Sequence, residues 1–224
     1  MIQLSHVEKT YIGKETKTQA LNDANLEIKD NEMCAITGTS GSGKSTLLSI
    51  IGGMEHATGG TYFYNDIEVS ALSKNELHQF RKQYVSFVFQ NFALIDRYSV
   101  YENLEVPLLA RSVKKRKHMI EEAAERVGIE QLLRKYPQEL SGGQQQRCAI
   151  ARALIADTDL LLCDEPTGAL DSDNSNKIMD EIEKIHKEGK TIIIVTHDVE
   201  VAQRCERMIH ITDGRIENKI FAIA

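Results

Sequence analysis

The sequence predicts an α/β domain built around a largely parallel β-sheet. Short apolar or β-branched runs alternate with longer segments of helical spacing, an order that is typical of parallel strands connected by helices. The runs that predict strands are residues 33–37, 84–89, 160–163 and 191–195. The chain has 224 residues, of which 42% are hydrophobic, so it is long enough for one sizeable core or for one core with a subdomain.

Between these strands, the apolar spacing predicts helices that end at glycines. Isoleucines at positions 178, 182 and 185 share one face of a helix, and Gly189 follows them in the place of a C-terminal cap. A second predicted helix stops at Gly128. Residues 91–140 contain no run with the pattern of a strand, so we expect this segment to be a helical insertion within the α/β core.

The composition argues against several classes of protein. A formal net charge of −6 disfavours a dedicated nucleic-acid binder, because phosphate affinity comes mainly from clustered lysine and arginine, although one face could still be basic. The four cysteines have no CxxC or CxxH spacing, which predicts neither a zinc site nor a disulfide framework. The apolar runs are far shorter than the roughly 20 residues that span a bilayer, and the N-terminus has no signal-peptide core. We therefore expect a chain in the reducing cytoplasm that inserts no helix of its own.

Residues 38–45 match the phosphate-binding pattern G-x-x-x-x-G-K-[ST], between a predicted strand and a predicted helix. The glycines allow backbone N–H groups to converge on phosphates, and the helix directs its positive N-terminal end at them. Lys44 is expected to contact the β- and γ-phosphates, and Ser45 to supply a hydroxyl to Mg²⁺. The alternative is a Gly/Ser-rich turn, which the strand-to-helix context disfavours. The predicted nucleotide-binding residues are Gly38, Ser40, Gly41, Ser42, Gly43, Lys44, Ser45 and Thr46.

Two carboxylates follow the apolar run at residues 160–163. Open α/β folds bind ligands at the carboxyl ends of parallel strands, so both side chains are expected at the binding edge. Asp164 is predicted to hold the Mg²⁺ shell, and Glu165 to orient and deprotonate an attacking water. A solvated strand end is the alternative, and the phosphate loop upstream argues against it.

Residues 140–144 read LSGGQ and open a helical run, with Ser141 as a natural N-cap. This helix start is a second potential anion-binding site. Because it lies just before the acidic strand, the motif resembles the signature of the ABC ATPases. In that family, the signature of one subunit closes over the γ-phosphate bound by another, so the resemblance implies an ATP-sandwich homodimer. The residues implicated are Ser141, Gly142, Gly143 and Gln144.

Four further residues follow the order of that family. Tyr11 resembles the aromatic residue that stacks on adenine, and Gln90 the glutamine that touches Mg²⁺ and the attacking water. His197 resembles the histidine that reads the γ-phosphate. Asp171, in the run Ala-Leu-Asp, resembles the loop that passes between subunits. Each signal is weak alone, since a lone tyrosine or histidine is usually structural, and it is their joint order that carries the resemblance.

The resemblance covers the chain from end to end and implies its architecture. We expect a P-loop NTPase core with a mainly parallel sheet, an N-terminal antiparallel β region and an inserted helical subdomain. The expected organisation is a single ABC ATPase domain over residues 1–224. Its nucleotide-binding core comprises residues 1–90 and 155–224, and its helical subdomain comprises residues 91–154, which include the signature.

Finer features resemble the macrolide-efflux and lipoprotein-release subgroup, together with its cell-division and peptide-antibiotic relatives. They include the runs at residues 50–54, 88–92 and 166–171, and residues 101–103 together with 107–108. The resemblance implies a transport ATPase that binds ATP and Mg²⁺ and powers a separate integral-membrane permease, with an extracytoplasmic adaptor in some systems. The chain is then expected to lie peripherally at the cytoplasmic face of the cell membrane, and substrate specificity to reside in the permease.

Two other functions are weighed against this one. A soluble ABC ATPase acting in nucleic-acid repair or translation usually carries two ATPase halves, a coiled coil or a zinc insertion, and this sequence has none of these. A small-molecule kinase would share the phosphate loop but would not need LSGGQ. The sequence therefore favours the transport ATPase, with no nucleic-acid partner.

Overall fold

The computed structural model describes residues 1–13, 16–109 and 114–222 of the chain. Within these residues, ten strands form two sheets. The strands are β1 (Ile2–Ile12), β2 (Lys17–Ile28), β3 (Met33–Thr37), β4 (Gly59–Tyr64), β5 (Ile67–Glu68), β6 (Val85–Val88), β7 (Leu160–Asp164), β8 (Thr191–Val195), β9 (Arg207–Thr212) and β10 (Arg215–Ala222).

Seven α-helices connect these strands in the described part of the chain. They are α1 (Lys44–Ile51), α2 (Lys74–Tyr84), α3 (Val100–Leu109), α4 (Arg116–Arg126), α5 (Gly142–Ala156), α6 (Ser172–Lys187) and α7 (Val199–Gln203). None of them combines the length and the apolar character that crossing a bilayer requires.

The larger sheet has six strands in the order β10-β9-β3-β8-β7-β6. The five strands from β9 to β6 run parallel, and β10 pairs antiparallel with β9 at one edge. Because the carboxyl ends of parallel strands meet at one edge of a sheet, the residues that follow β3, β6, β7 and β8 come together there. This edge holds the candidate site.

The central strands are buried on both faces. In β3, Met33 and Ala35 face a core shared with α3 to α7, whereas Cys34 and Ile36 face a core shared with α1, α2 and the smaller sheet. The side chains of β7 and β8 alternate between the same two cores. A strand buried on both faces is apolar at every position, which is why the sequence reveals these strands as continuous runs.

The smaller sheet is antiparallel, with strand order β2-β1-β4-β5. In β1, Ile2, Leu4 and Val7 are buried while several residues between them are exposed. Burial on one face gives an alternating pattern with polar residues between the apolar ones. The search for apolar runs therefore missed β1, β2 and β4, and only the family resemblance predicted an N-terminal antiparallel region.

Helices α3, α4 and α5 lie between β6 and β7 in the sequence and pack on one another. The fully buried Asn103 of α3 holds the chain that leads into them. Its side chain accepts a hydrogen bond from the Ile95 N–H and donates to the carbonyl oxygens of Ile95 and Tyr98. The division at residues 91 and 154 stays a prediction, since α5 continues to Ala156 without a break.

Several boundaries differ from the sequence-based expectation. The strand expected at residues 84–89 is shorter, because Tyr84 still belongs to α2. The phosphate-loop helix begins at Lys44, and β7 extends to Asp164. The two glycines that were predicted to end helices do so. Gly128 and Gly189 adopt φ angles of 70° and 94° just beyond α4 and α6.

Candidate active site

The loop between β3 and α1 is shaped by glycines that no other residue could replace without displacing the backbone. Gly38 and Gly43 have φ angles of 152° and 107°. A Cβ atom would lie 2.3 Å from the Ile211 carbonyl oxygen at the first position and 2.4 Å from the Ala20 carbonyl oxygen at the second. Since Gly43 has no side chain to cap α1, the N–H groups of its first turn are available to an anion.

Lys44 and Ser45 open α1 from this loop. The Lys44 ammonium folds back across the loop and donates to the carbonyl oxygens of Gly38 at 2.9 Å and Thr39 at 2.8 Å. The Ser45 hydroxyl lies 3.5 Å from Asp164 Oδ1, at the end of β7. The phosphate loop and the acidic strand end, which are 119 residues apart in the sequence, therefore meet in one site.

The electrostatics around Asp164 favour the binding of a cation. Burial raises the pKa of this carboxyl, and so does the nearby Glu165 carboxylate, whereas Ser45 and Lys44 act in the opposite direction. Burial and a neighbouring like charge destabilise the negative form of this carboxylate. A positive ion that binds beside it stabilises that negative form.

Glu165 leaves β7 in a left-handed conformation, with a φ angle of 49°. Its carboxylate is only 13% exposed and is held by the residues that follow β8. Glu165 Oε1 lies 2.8 Å from His197 Nδ1, and Glu165 Oε2 accepts a hydrogen bond from the Thr196 hydroxyl at 3.4 Å. The hydrogen bond to Glu165 raises the pKa of His197. The carboxylate is thus oriented on both oxygens, as a group that accepts a proton from water must be.

Gln90 follows β6 and reaches the same edge of the sheet. A Cβ atom added to Gly168 would lie 3.2 Å from Gln90 Nε2 and 3.4 Å from the Glu165 Cβ. The Gln90 amide therefore lies over Gly168, beside Glu165. The structure brings Gln90, Asp164, Glu165 and His197 together from the ends of three neighbouring strands.

The signature motif forms the capped start of α5. The Ser141 hydroxyl accepts a hydrogen bond from the Gln144 N–H at 3.3 Å, and Gln144 Oε1 accepts one from the Ser141 N–H at 2.9 Å. A Cβ atom on Gly142 would meet Ala169 and Leu170, so the motif packs beside the loop that precedes Asp171. Among the hydrogen bonds of the described residues, none joins this motif to the phosphate loop of the same chain.

Asp171 and Tyr11 lie at the margins of this arrangement. The Asp171 carboxylate caps α6 by accepting hydrogen bonds from the main-chain and side-chain N–H groups of Asn174, at 2.9 and 2.8 Å, and these bonds lower its pKa. Tyr11 is 40% exposed near the end of β1, with the Lys9 ammonium 5.0 Å from the centre of its ring. No hydrogen bond or ring contact of the described residues joins the Tyr11 side chain to the phosphate loop.

Comparisons with known proteins identify the family. Residues 21–168 match the sequence model of the family described as ABC transporter. The chain belongs to the ABC transporter family. As a member of this family, it is an ATP-binding and ATP-hydrolysing subunit.

Two curated relatives of this ABC ATPase differ in extent. The chain is 44% identical to the uncharacterized ABC transporter ATP-binding protein YknY of Bacillus subtilis, over 96% of this chain and 95% of the relative. It is 41% identical to the macrolide export ATP-binding/permease protein MacB of Bradyrhizobium diazoefficiens, over 96% of this chain but only 33% of that protein. The chain therefore spans about a third of the length of MacB.

The solved structures confirm the predicted fold class. The dimeric structure of the ATP-binding cassette MJ0796, in a post-hydrolysis state with ADP and Pi, matches with a TM-score of 0.92 and 40% identity. The match covers 100% of this chain and 99% of that one. MJ0796 is a protein of Methanocaldococcus jannaschii.

Three residues around the site were not predicted from the sequence as site residues. Thr196, which is fully buried, bonds to Glu165, and Gly168 leaves the room that the Gln90 amide occupies. Arg152 of α5 bonds to the carbonyl oxygens of the loop beyond Gln90. Arg152 had a visible signal, because it is the charged residue between two alanines in the otherwise apolar second half of α5, residues 148–156. Thr196 and Gly168 had none apart from their positions next to His197 and Glu165.

Proposed function

We propose that the chain works as a homodimer that binds Mg-ATP between two copies and hydrolyses it to drive a separate integral-membrane permease. One observation carries the proposal: among the hydrogen bonds of the described residues, none joins the phosphate loop to the signature motif of the same chain. Two anion-binding helix starts that belong to one ATP site must then come from two copies. The dimeric structures of the similar cassette MJ0796 support this arrangement.

The residues at the sheet edge fit Mg²⁺ as a shared ion. Ser45 and Asp164 offer a hydroxyl and a carboxylate oxygen, which are the hard ligands that Mg²⁺ prefers, and the Gln90 amide lies nearby. Within the described residues, no group of three or more His, Cys, Asp or Glu side chains could hold a metal on its own. That composition suits an ion whose remaining ligands are phosphate oxygens and water.

For hydrolysis we assign the general base to Glu165. Its carboxylate accepts a proton from the water that attacks the γ-phosphate, while His197 and Thr196 hold it in place. Lys44 balances the charge on the β- and γ-phosphates. Tyr11 is assigned to the adenine ring and Asp171 to the contact between subunits; these two assignments rest on the family order alone.

The permease assignment comes from the relatives. MacB is named as an ATP-binding and permease protein in one chain, whereas YknY is named as an ATP-binding protein. The chain matches MacB over about a third of that protein's length and YknY over 95% of its length. On the likeness to YknY we assign the permease function to a separate polypeptide, with this chain on the cytoplasmic face of the membrane. Export, lipoprotein release or mechanotransmission, with an extracytoplasmic adaptor in some systems, fits this subgroup. The net charge of −6 disfavours the alternative role in nucleic-acid repair or translation.

The helical insertion offers a surface for the permease. A groove of about 710 Å³ is lined by Tyr101 and Glu102 at the start of α3, by Lys117 of α4 and by Tyr136. Among the described residues of this insertion, two large apolar side chains are exposed, Leu109 at 57% and Tyr136 at 46%. Of these two, Tyr136 lines the groove, and an exposed apolar side chain in a groove is typical of a protein-binding surface. The insertion follows Gln90 directly, so nucleotide at the site and permease at the groove can affect each other.

Ser141→Arg tests the composite site. We expect the affinity of the isolated chain for ATP to stay within about twofold, because no hydrogen bond of the described residues joins the signature to its own phosphate loop. ATP turnover should fall by about 100-fold or more, because the larger side chain obstructs the place of the γ-phosphate from the second copy. A nucleotide titration and a phosphate-release assay measure the two quantities.

The control for that substitution is Ser73→Arg. Ser73 caps α2 through the same pair of reciprocal hydrogen bonds, which it makes with Glu76. The substitution of Ser73 therefore removes an equivalent helix cap at a place away from the signature. Losing either cap is expected to cost about 1 kcal/mol of stability. Wild-type turnover in Ser141→Arg, or an equal loss in Ser73→Arg, would contradict the two-copy site.

Cysteine cross-linking tests the permease surface. The native cysteines that the structure describes are all buried, so a cysteine introduced at Tyr136 provides an accessible thiol in the groove. We expect this variant to cross-link to an integral-membrane protein in membranes of the source cell. Lys184→Cys, on the exposed face of α6, is the matched control and should give little product. Cross-links confined to α6 would refute the groove as the permease surface.

A further inference from the structure

Two residues just beyond Gln90 adopt a backbone conformation that is unfavourable for them. Phe92 and Ala93 have φ angles of 61° and 48°, in the left-handed region that residues with a Cβ atom seldom occupy. Two such residues in succession persist only when the surrounding structure holds them. This left-handed bend, residues 92–93, lies between the active-site Gln90 and the helical insertion.

The guanidinium of Arg152 holds the bend. It donates from one terminal nitrogen to the Ala93 carbonyl oxygen at 2.6 Å and from the other to the Phe92 carbonyl oxygen at 3.0 Å. Arg152 is half-buried on α5, and burial lowers its pKa. In the described chain no carboxylate pairs with it. Both terminal nitrogens are therefore used on the carbonyl oxygens of the bend, and a fork of this geometry is particular to arginine.

The same bend also touches the signature motif. A Cβ atom on Gly142 would lie 3.8 Å from the Phe92 ring, so the ring packs against the first turn of α5. Helix α5 thus contacts the bend at two levels: through Gly142 at its N-terminus and through Arg152 ten residues further along. A displacement of α5 cannot leave residues 92–93 in place without breaking both contacts.

We propose that Arg152 is a positioning residue that couples the signature helix to Gln90 and to the start of the helical insertion. Closure of the ATP site moves α5, and Arg152 transmits this movement to the bend. The bend follows Gln90 and precedes the helical insertion, which contains the groove proposed for the permease. The inference rests on the proposed function in so far as the signature binds ATP across a dimer. It adds the residue through which that binding reaches the loop.

Substitution of Arg152 tests the coupling in the full-length chain. Arg152→Gln removes the charge and shortens the side chain, so its amide cannot reach both carbonyl oxygens, and Arg152→Lys keeps the charge without the fork. We expect either variant to bind ATP with an affinity within about twofold of wild type. Its turnover number should be at least about 10-fold lower than that of wild type, since the lost hydrogen bonds involve a charged donor. Arg147→Gln, which removes an arginine of the same helix that does not bond to the bend, should hydrolyse ATP normally.

A rescue experiment separates positioning from a general structural role. Ala93→Gly removes the conformational penalty of the left-handed bend, because glycine adopts positive φ angles readily. Combined with Arg152→Gln, it should restore turnover by about fivefold, the population change that relief of one left-handed residue allows. Thermal unfolding of each variant identifies any that is not folded, in which case Arg152→Lys replaces Arg152→Gln in the comparison.

The outcomes are distinct. Wild-type turnover in both Arg152 variants, or a loss that Ala93→Gly does not restore, would overturn the proposal. The proposed function is judged separately, by whether the wild-type chain forms an ATP-dependent dimer and whether a permease stimulates its turnover. If the chain forms the dimer but its turnover number is unchanged by substitution of Arg152, only the coupling role of Arg152 is contradicted.

Discussion

Glu165→Gln is expected to yield an ATP-bound dimer that hydrolyses ATP slowly and stays associated. The substitution keeps the size of the side chain and a hydrogen-bonding carbonyl, but it removes the carboxylate that accepts a proton from water. Turnover should fall by about 10²- to 10⁴-fold, the usual contribution of a general base. Binding should survive, since the amide oxygen can still accept the hydrogen bond that His197 makes with Glu165.

The same substitution should also make the closed dimer accumulate. A carboxylate beside the triphosphate repels it, and a neutral amide does not, so the closed state is stabilised relative to the open one. Slow hydrolysis also delays the step after which the two copies of the chain would separate. Both effects act in the same direction, which makes this the substitution with the largest expected change in the population of dimer.

Gel filtration with and without Mg²⁺-ATP measures the dimer, and a phosphate-release assay run beside it measures turnover. Glu200→Gln is the control, because it removes a carboxylate that lines the same cleft as Glu165 and His197. Normal hydrolysis by Glu165→Gln would contradict its assignment as the base. A variant that stays monomeric yet hydrolyses slowly would indicate instead that the dimer requires the permease.

Lys44→Ala is expected to abolish tight ATP binding. The ammonium is the positive charge that the phosphate loop directs at the β- and γ-phosphates, and a hydrogen bond with a charged partner contributes roughly 1.5–3 kcal/mol. The affinity for ATP should therefore fall by about 10- to 100-fold. In this structure the ammonium also donates to the carbonyl oxygens of Gly38 and Thr39, so some loosening of the loop is expected to add to the loss.

A fluorescent nucleotide titration measures the dissociation constant, and thermal unfolding reports any effect on the fold. Lys187→Ala, at the end of α6, removes a lysine away from the loop and should leave the affinity unchanged. Unaltered ATP affinity in Lys44→Ala would refute the phosphate-loop assignment.

The parts of the fold that the sequence predicted are those with strong local signals. Strands β3 and β8 were predicted at their observed bounds, because burial on both faces favours apolar or β-branched residues at successive positions. The capped start of α5 was predicted from Ser141, since a serine N-cap is a local hydrogen-bonding preference. Strands β1, β2 and β4 do not form continuous apolar runs, because only alternate residues are apolar in a sheet that is buried on one face. They were therefore not predicted from the apolar pattern.

By itself, the sequence determined the chemistry of the site: a phosphate loop, two carboxylates and a signature helix, each recognisable because its residues are neighbours in the chain. Only the tertiary structure decided which groups touch. It placed Ser45 against Asp164, His197 and Thr196 around Glu165, and the fork of Arg152 on the strained bend at residues 92–93. These contacts join residues 31 to 119 positions apart, and they exist because parallel strands end at one edge and α5 packs beside it. No local pattern encodes such a distance, so the sequence could predict the candidate reacting groups but not the residues that hold them.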